Sequence, residues 1–520
     1  MGEAHPTEVT PPSKSPILSM GPEPYKADVP REVLTDDDIK EIVRLMFLGE
    51  LRPKAEVRAA ICDWLADKVL EDPDLRARFN KKLKRMEELG LDYDKVTWLR
   101  QDSNALLEAT AILIELLREG GIEFIFLPSH HVEEKYRYAV GSIIEKYADS
   151  RLMSLLGHIT GGRKASTRST RDLLRSFGKV LDWGDLNPPG YIALANGRIL
   201  DLEFLTLHER VPGKYFTVKA GTSLEERHLD LLRDYMRKYD WDEGEEALLL
   251  LAPNFARAYY HVFSTPELRR QAREVLGSIF FEGVLRKAFI IVGEPGIGKS
   301  VIGDTLKKCL GGLASSIPLE ELFNKERRFA KGYLAGKYAN IVSEAPKTIL
   351  DAVDRFKYLT GEEVLSGEQK FSHYFEFVNR VKLIVFCNEI PLFSKVDDAV
   401  LDRLYIIESR AEPLAGEAED QLLRREIESE LPYVLLFILW CYSELRERRF
   451  RLLYGPDRER VLFLIRERAT QISDFIEEVC ERGDYIEAGK TLYNKYLEWC
   501  GQHGIAKPLG RNTFYAQLSY

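Results

Sequence analysis

The sequence predicts an α/β fold: a phosphate-binding core with a parallel sheet, preceded by helical and mixed α/β regions and followed by a small C-terminal unit. Three observations carry that prediction. The apolar run Ala288 to Val292 ends in Gly293-Glu294-Pro295-Gly296-Ile297-Gly298-Lys299-Ser300, and helical spacing of Val301, Ile302, Leu306 and Leu310 follows. Two further apolar runs end in polar residues, Tyr338 to Val342 before Glu344 and Val381 to Cys387 before Asn388. At 520 residues the chain is also too long for a single core.

From the N-terminus, residues 1–32 hold many prolines and few apolar residues, which reads as a disordered tail. Residues 33–119 carry helical periodicity, and Thr35-Asp36-Asp37-Asp38 reads as a helix cap rather than a metal cluster. Residues 120–221 read as mixed α/β, with a strand over 122–127 and a hairpin turning at Asn196-Gly197. Within that region Arg168, Arg171, Arg175 and Lys179 share one helical face. Such a stripe is either a phosphate contact or a solvated face, and spacing does not choose between them. Residues 222–285 read as a helical collar, 286–412 as the phosphate-binding core, 413–465 as a helical lid, and 466–520 as a separate C-terminal domain. The apolar stretch Val434 to Tyr442 is half a membrane span and predicts a buried helix.

Composition excludes several classes. A formal net charge of −9 argues against a general polyanion binder, so any nucleic-acid contact is local. The six cysteines show no CxxC or Cys/His ligand spacing, which predicts reduced thiols, no zinc and a cytoplasmic setting. No signal core or membrane span is present in the pattern, so no membrane partner is expected.

The chemistry lies in the core. The segment 293–300 fits G-x-x-x-x-G-K-[ST], in which glycines let backbone amides turn toward phosphates at a helix N-terminus. The bland alternative is a Gly-rich turn that binds nothing. The motif predicts that Gly293, Glu294, Pro295, Gly296, Ile297, Gly298, Lys299, Ser300 and Val301 line ATP, with Lys299 on the β- and γ-phosphates and Ser300 on Mg²⁺. Glu344 ends a strand about 45 residues after Lys299, where a carboxylate assists Mg²⁺ and orients the attacking water. Two acids commonly stand there, but here Ser343 precedes Glu344. Asn388 ends the next long strand, where an amide would orient the lytic water; its bland reading is a turn residue.

Between these strands lies Phe356-Lys357-Tyr358-Leu359-Thr360-Gly361, running on to Lys370, and after them Asp397-Asp398-Ala399-Val400-Leu401-Asp402-Arg403. This order resembles the superfamily 3 helicases of the phage/plasmid and poxvirus-type primase-helicase group, over about residues 120–518 and most strongly over 286–412. The resemblance implies a P-loop AAA+-like helicase core and a small winged-helix-like or helical C-terminal domain. It implies an ATP-dependent DNA helicase in virus or plasmid replication, acting as a hexameric ring on single-stranded and forked DNA. Catalysis would rest on Lys299, Glu344, Asn388 and, acting on a neighbouring subunit's nucleotide, Arg403; Ser300 and Glu344 would hold Mg²⁺. DNA contacts would come from Lys370, His373 and Lys382 around a hairpin, with Arg168, Arg171 and Arg175 farther out. The paired carboxylates of a primase domain are not found, so a primase would be a separate partner, alongside other replication proteins. The competing expectation is a P-loop replication initiator, scaffold or DNA-remodelling ATPase that assembles on DNA without unwinding it.

Overall fold

The computed structural model describes residues 34–127, 136–163, 165–181, 185–323, 330–345, 349–350, 353–361, 364–368, 374–389, 392–393, 397–413, 425–455, 458–481, 483, 487–505 and 508–518. Two compact units divide the chain between residues 182 and 183.

In the first unit, α1 (Asp36–Leu48), α2 (Ala55–Val69), α3 (Pro73–Glu88), α4 (Lys95–Gln101) and α5 (Ser103–Glu119) precede β1 (Ile122–Phe126), β2 (Tyr136–Val140) and β3 (Ile143–Lys146). Then follow α6 (Ala148–Thr160), α7 (Thr167–Phe177) and β4 (Lys179–Val180). The sheet runs β3-β2-β1-β4, with only the β1–β4 pair parallel. The acidic triplet at α1 is a capping box: Asp38 N–H donates to Thr35 Oγ1 at 3.2 Å, and Thr35 N–H donates to Asp38 at 3.1 Å. Val43, Ile61 and Leu113 from the helices share one core with Phe124 and Tyr138 from the sheet. The change from helix to strand near residue 120 is therefore internal to one unit. The segment read as mixed α/β over 120–221 is split, its second part belonging to the other unit.

The second unit opens with an antiparallel sheet of β5 (Tyr191–Ala193), β6 (Ile199–Asp201) and β7 (Thr206–His208). The turn falls at Asn196-Gly197, where Gly197 takes a φ of 86° that an L side chain resists. Next come α8 (Glu226–Lys238), α9 (Trp241–Leu249), α10 (Pro253–Val262), α11 (Pro266–Ser278), β8 (Ala288–Val292), α12 (Lys299–Leu310), β9 (Ala314–Ser315) and α13 (Leu319–Phe323). Beyond these lie β10 (Ala339–Ala345), β11 (Ile349–Leu350), α14 (Val353–Gly361), β12 (Val364–Glu368), β13 (Tyr374–Val378), β14 (Lys382–Cys387), β15 (Leu392–Phe393), α15 (Asp398–Leu401) and β16 (Leu404–Glu408). The chain closes with α16 (Leu431–Glu447), α17 (Arg458–Val479), α18 (Gly489–Gln502) and α19 (Arg511–Leu518).

Five parallel strands form the central sheet in the order β16-β8-β14-β10-β9. A strand buried on both faces sends alternate residues into two cores. Phe289 and Ile291 of β8, with Ile384 and Phe386 of β14, join the core formed by α8–α12 and α16. Ala288, Ile290 and Val292, with Leu383 and Val385, join the opposite core, which α17 closes through Val461, Leu462 and Ile465. The helices read as a collar are thus one layer packed on the central sheet. The predicted buried helix is α16, and α11 lies hard against it: a Cβ on Gly277 would sit 2.3 Å from the Cys441 carbonyl oxygen.

α17 also carries Ile472 and Phe475 into the C-terminal core of Tyr496, Trp499 and Phe514. The boundary read at 465/466 therefore falls inside a continuous helix. The C-terminal domain is helical, with no strand among its described residues. No helix among the described residues is long and apolar enough to cross a membrane. The described residues also hold no cluster of His, Cys, Asp and Glu suited to a metal ion.

Candidate nucleotide site

The parallel sheet places three strand ends side by side. β14 lies between β8 and β10, so the loop after β8, Asn388 after β14 and Glu344 near the end of β10 share the carboxyl edge of the sheet. This edge is where ligands bind in open α/β sheets.

The phosphate loop is built as its glycines require. Gly293 N–H donates to the Cys387 carbonyl at 3.3 Å, joining the loop's first residue to the end of β14. A Cβ at Gly293 would lie 2.7 Å from Ile297 Cδ1 and 3.0 Å from the Ser409 carbonyl oxygen. Gly296 and Gly298 have φ values of 79° and 93°, which turn the backbone into α12. Ile297 and Val301 are buried in the core, and the Val301 N–H donates to the Gly298 carbonyl at 3.1 Å. Gly298 caps α12 without a side-chain acceptor, leaving the helix end for an anion. Lys299 Nζ donates to the carbonyls of Gly293 at 2.8 Å and Glu294 at 2.7 Å, which suspends the ammonium across the loop. Burial pushes the neighbouring Cys387 thiol up to about 12, opposed by the charge of Lys299, so this cysteine packs as an inert side chain.

On β10 the register slips. Val342 pairs with Val385, but Ala345 pairs with Cys387, so Ser343 and Glu344 together oppose Phe386. A bulge of this kind re-aims a strand end, and bulges concentrate beside active sites. The Ser343 hydroxyl donates to Asp304 Oδ1 on α12 at 3.1 Å. Asp304 in turn pairs with Lys307 at 2.7 Å. The sequence singled out Ser343 as a missing acid and passed over Asp304. The available signal was spacing, since Asp304 lies one helical turn after Ser300. Asn388 is exposed immediately after β14.

Arg403 stands at the other edge of the sheet. Its carbonyl accepts from Ala288 N–H at 2.7 Å, at the start of β8, and its guanidinium donates to the Ala399 carbonyl at 2.7 Å. The length of β8, about 16 Å at strand rise, separates it from the phosphate loop of its own chain.

β12 and β13 form an antiparallel hairpin, from Val364 opposite Val378 to Glu368 opposite Tyr374. Lys370 and His373, expected at its tip, lie outside the described residues. Lys382, expected on DNA, requires correction. Its side chain is buried, and Nζ donates to the carbonyls of Phe281, Gly283 at 3.2 Å and Arg380 at 2.7 Å. Burial pushes its pKa down to about 7, against the pull of Glu282. Three acceptors use the ammonium's three donors, and none remains for a phosphate. Together with Asn379, which donates to the Leu359 carbonyl at 2.9 Å, and Arg380, which pairs with Glu282 at 2.6 Å, Lys382 anchors the hairpin where it re-enters the sheet.

In the first unit, the α7 stripe is partly absorbed by the fold. Arg171 pairs with buried Asp149 at 2.7 Å, and the Arg175 guanidinium lies 5.3 Å from the Phe126 ring centroid. Arg168 is exposed.

The Ser300 hydroxyl, in the first turn of α12, is a hard oxygen donor of the kind that suits Mg²⁺ better than a softer metal, whereas the Glu344 side chain lies outside what is described.

Comparison with known proteins adds three findings. Residues 291–403, from within β8 to Arg403, match a family described as of unknown function, DUF5906. No curated protein matches the chain. Among solved structures, the NrS-1 C-terminal region is 15% identical, covers 78% of this chain and 91% of its own, and superposes with a TM-score of 0.41. A second structure of that region gives 0.40, with 78% and 93% covered. JCV helicase is 16% identical over 48% of this chain and 71% of its own, with a TM-score of 0.26. At such scores the functional argument rests on the chain's own residues.

Proposed function

We propose that the chain is an ATP-dependent DNA helicase of the superfamily 3 kind, working as a ring of six subunits in virus or plasmid replication. The observation that supports it best is the arrangement of the sheet edges. The phosphate loop, Asn388 and Glu344 share one edge, and Arg403 sits at the other, away from its own loop.

In this reading Lys299 leaves the carbonyls of Gly293 and Glu294 for the β- and γ-phosphates, while the amides of 296–300 hold the remaining oxygens. Mg²⁺, held by Ser300 and Glu344, would neutralise charge on the phosphates. Glu344 and Asn388 orient the attacking water. Arg403 reaches across to the loop of the adjacent subunit and stabilises charge as the γ-phosphate departs. β14 carries Asn388 at one end and Lys382, the hairpin anchor, at the other. A shift at the nucleotide thereby tilts the β12–β13 hairpin, and Lys370 at its tip draws single-stranded DNA by its backbone charge.

One observation favours a second reading. Ser343 is committed to Asp304, which leaves Glu344 as the single acid at the strand end. An ATPase so equipped could use nucleotide chiefly to assemble, as an initiator or scaffold on DNA. Strand displacement on a forked duplex separates the readings. Wild type should unwind it with ATP, and Lys370→Ala should keep basal turnover but lose unwinding. ATP-driven assembly with no unwinding by wild type would select the scaffold.

A further inference from the structure

α3 differs from α1 and α2, whose half-buried cations are matched by nearby acids: Lys40 with Glu119 at 2.9 Å, Arg44 with Glu41 at 3.0 Å, and Lys68 with Glu71 at 3.0 Å. α3 carries Arg76, Arg78, Lys81, Lys82, Lys84 and Arg85 with no acid between them. Its own acids stand only at its ends, Asp74 in the first turn and Glu87 and Glu88 in the last. Leu75, Phe79, Leu83 and Met86 hold the opposite face on the core, with the Phe79 ring 5.5 Å from Trp98. The cationic face therefore points to solvent, and Lys81, Lys84 and Arg85 are all exposed.

Three of the six cations are engaged locally, Arg76 by donating to the Leu70 carbonyl at 2.7 Å. Arg78 pairs with Asp102 at 2.9 Å, and Lys82 lies 5.4 Å from the Tyr93 ring centroid. Lys81, Lys84 and Arg85 have no carboxylate partner among the described residues. Lys81 and Lys84 are three apart, Lys82 and Arg85 three apart, and Lys81 and Arg85 four apart, so they repel along the helix. Each such pair costs about 0.2–0.5 kcal/mol. A solvated face ordinarily interleaves both signs, whereas here the helix's acids stand only at its ends. The stripe from Arg78 to Arg85 is about 10 Å long, comparable to three steps of one nucleic-acid strand.

We propose that this face of α3 is a second contact surface for nucleic acid, gripping the phosphodiester backbone without reading sequence and without using the phosphate loop. On α7, by contrast, Arg171 is spent on Asp149 and Arg175 lies against the Phe126 ring.

The test uses the full chain without nucleotide and three labelled probes of equal length: single-stranded DNA, duplex DNA and single-stranded RNA. The triple variant Lys81→Gln/Lys84→Gln/Arg85→Gln should lose at least about tenfold in affinity at low salt. Its plot of log affinity against log salt should be shallower by about 2 to 3, as three lost phosphate contacts require. The charge-keeping variant Lys81→Arg/Lys84→Arg/Arg85→Lys should bind as wild type does. Which probe responds most identifies the nucleic acid. The triple variant should melt no lower than wild type, since it removes the repelling pairs, and its basal ATP turnover should match, so failure here is distinct from failure of the ATPase reading. Wild-type affinity and salt slope in the triple variant would overturn the proposal. So would an equal loss in the charge-keeping variant, or wild-type binding to anionic vesicles but to none of the three probes.

Discussion

Removal of Arg403 gives the sharpest test of how subunits share a site. Arg403 lies level with Ala288, and the phosphate loop begins after Val292, about 16 Å along the sheet. No rotamer of an arginine covers that span, so the guanidinium serves a neighbour's nucleotide if it serves any. Arginine fingers contribute about 10³–10⁵ in turnover, so Arg403→Ala should be nearly inactive while still binding ATP. Lys299→Ala should be inactive by loss of the loop's ammonium. Mixing the two inactive proteins is the decisive assay. An Arg403→Ala subunit retains a sound loop, and a Lys299→Ala subunit retains a sound arginine. In an equal mixture about a quarter of head-to-tail interfaces combine the two sound halves, and ATP turnover should return to roughly that share of wild type. A mixture as inactive as its components, under conditions where wild type assembles, would refute a shared site. Full activity of Arg403→Ala alone would remove the residue from catalysis altogether.

Other expectations follow from the same geometry. The folded pKa of Lys382 is depressed to about 7, below its unfolded value. Between pH 7 and about 10 the unfolded chain therefore binds more protons, and wild-type stability should gain up to about 1.4 kcal/mol per pH unit there. Lys382→Met loses that dependence, so melting curves of the two proteins at pH 7, 8 and 9 should diverge; parallel shifts would contradict the buried amine. Arg273 links Asp242, Glu245 and buried Glu444, and Arg273→Met leaves Glu245 to Arg269 at 3.1 Å and Glu444 to Arg448 at 3.3 Å. The expected loss reaches about 3–5 kcal/mol in urea unfolding of the second unit, whereas a loss near zero would mean that the two remaining arginines satisfy these acids. Gly277→Ala forces α11 from α16 and should cost about 1–3 kcal/mol by overpacking, less about 1 kcal/mol of helix propensity; the same urea titration measures it.

Much of the core was legible because its signals are local. The phosphate loop is a contiguous string, and the continuous apolar runs of β8 and β14 mark strands buried on both faces. The Asn196-Gly197 turn and the buried helix around Trp440 were equally direct. What escaped the sequence depends on distant partners. Lys382 sits near a predicted DNA hairpin and has the right charge, but its carbonyl acceptors include Phe281 and Gly283, about a hundred residues upstream. Hydrophobic period marks a strand at 122–127 without saying which core it covers, so the boundary read at residue 120 falls inside one unit. The same limit hid the continuity of α17, whose two halves serve different cores. The bulge at Ser343 and Glu344 has no signature in residue type and appears only in the pairing with β14.

Whether this edge of the sheet hydrolyses ATP in the service of movement on DNA is decided by ATP turnover of wild type and Glu344→Gln, with and without single-stranded DNA, on protein fractionated by size. DNA should stimulate turnover in a ring-sized fraction, and Glu344→Gln should bind ATP but hydrolyse it poorly. Assembly with ATP but no turnover by wild type would refute a motor.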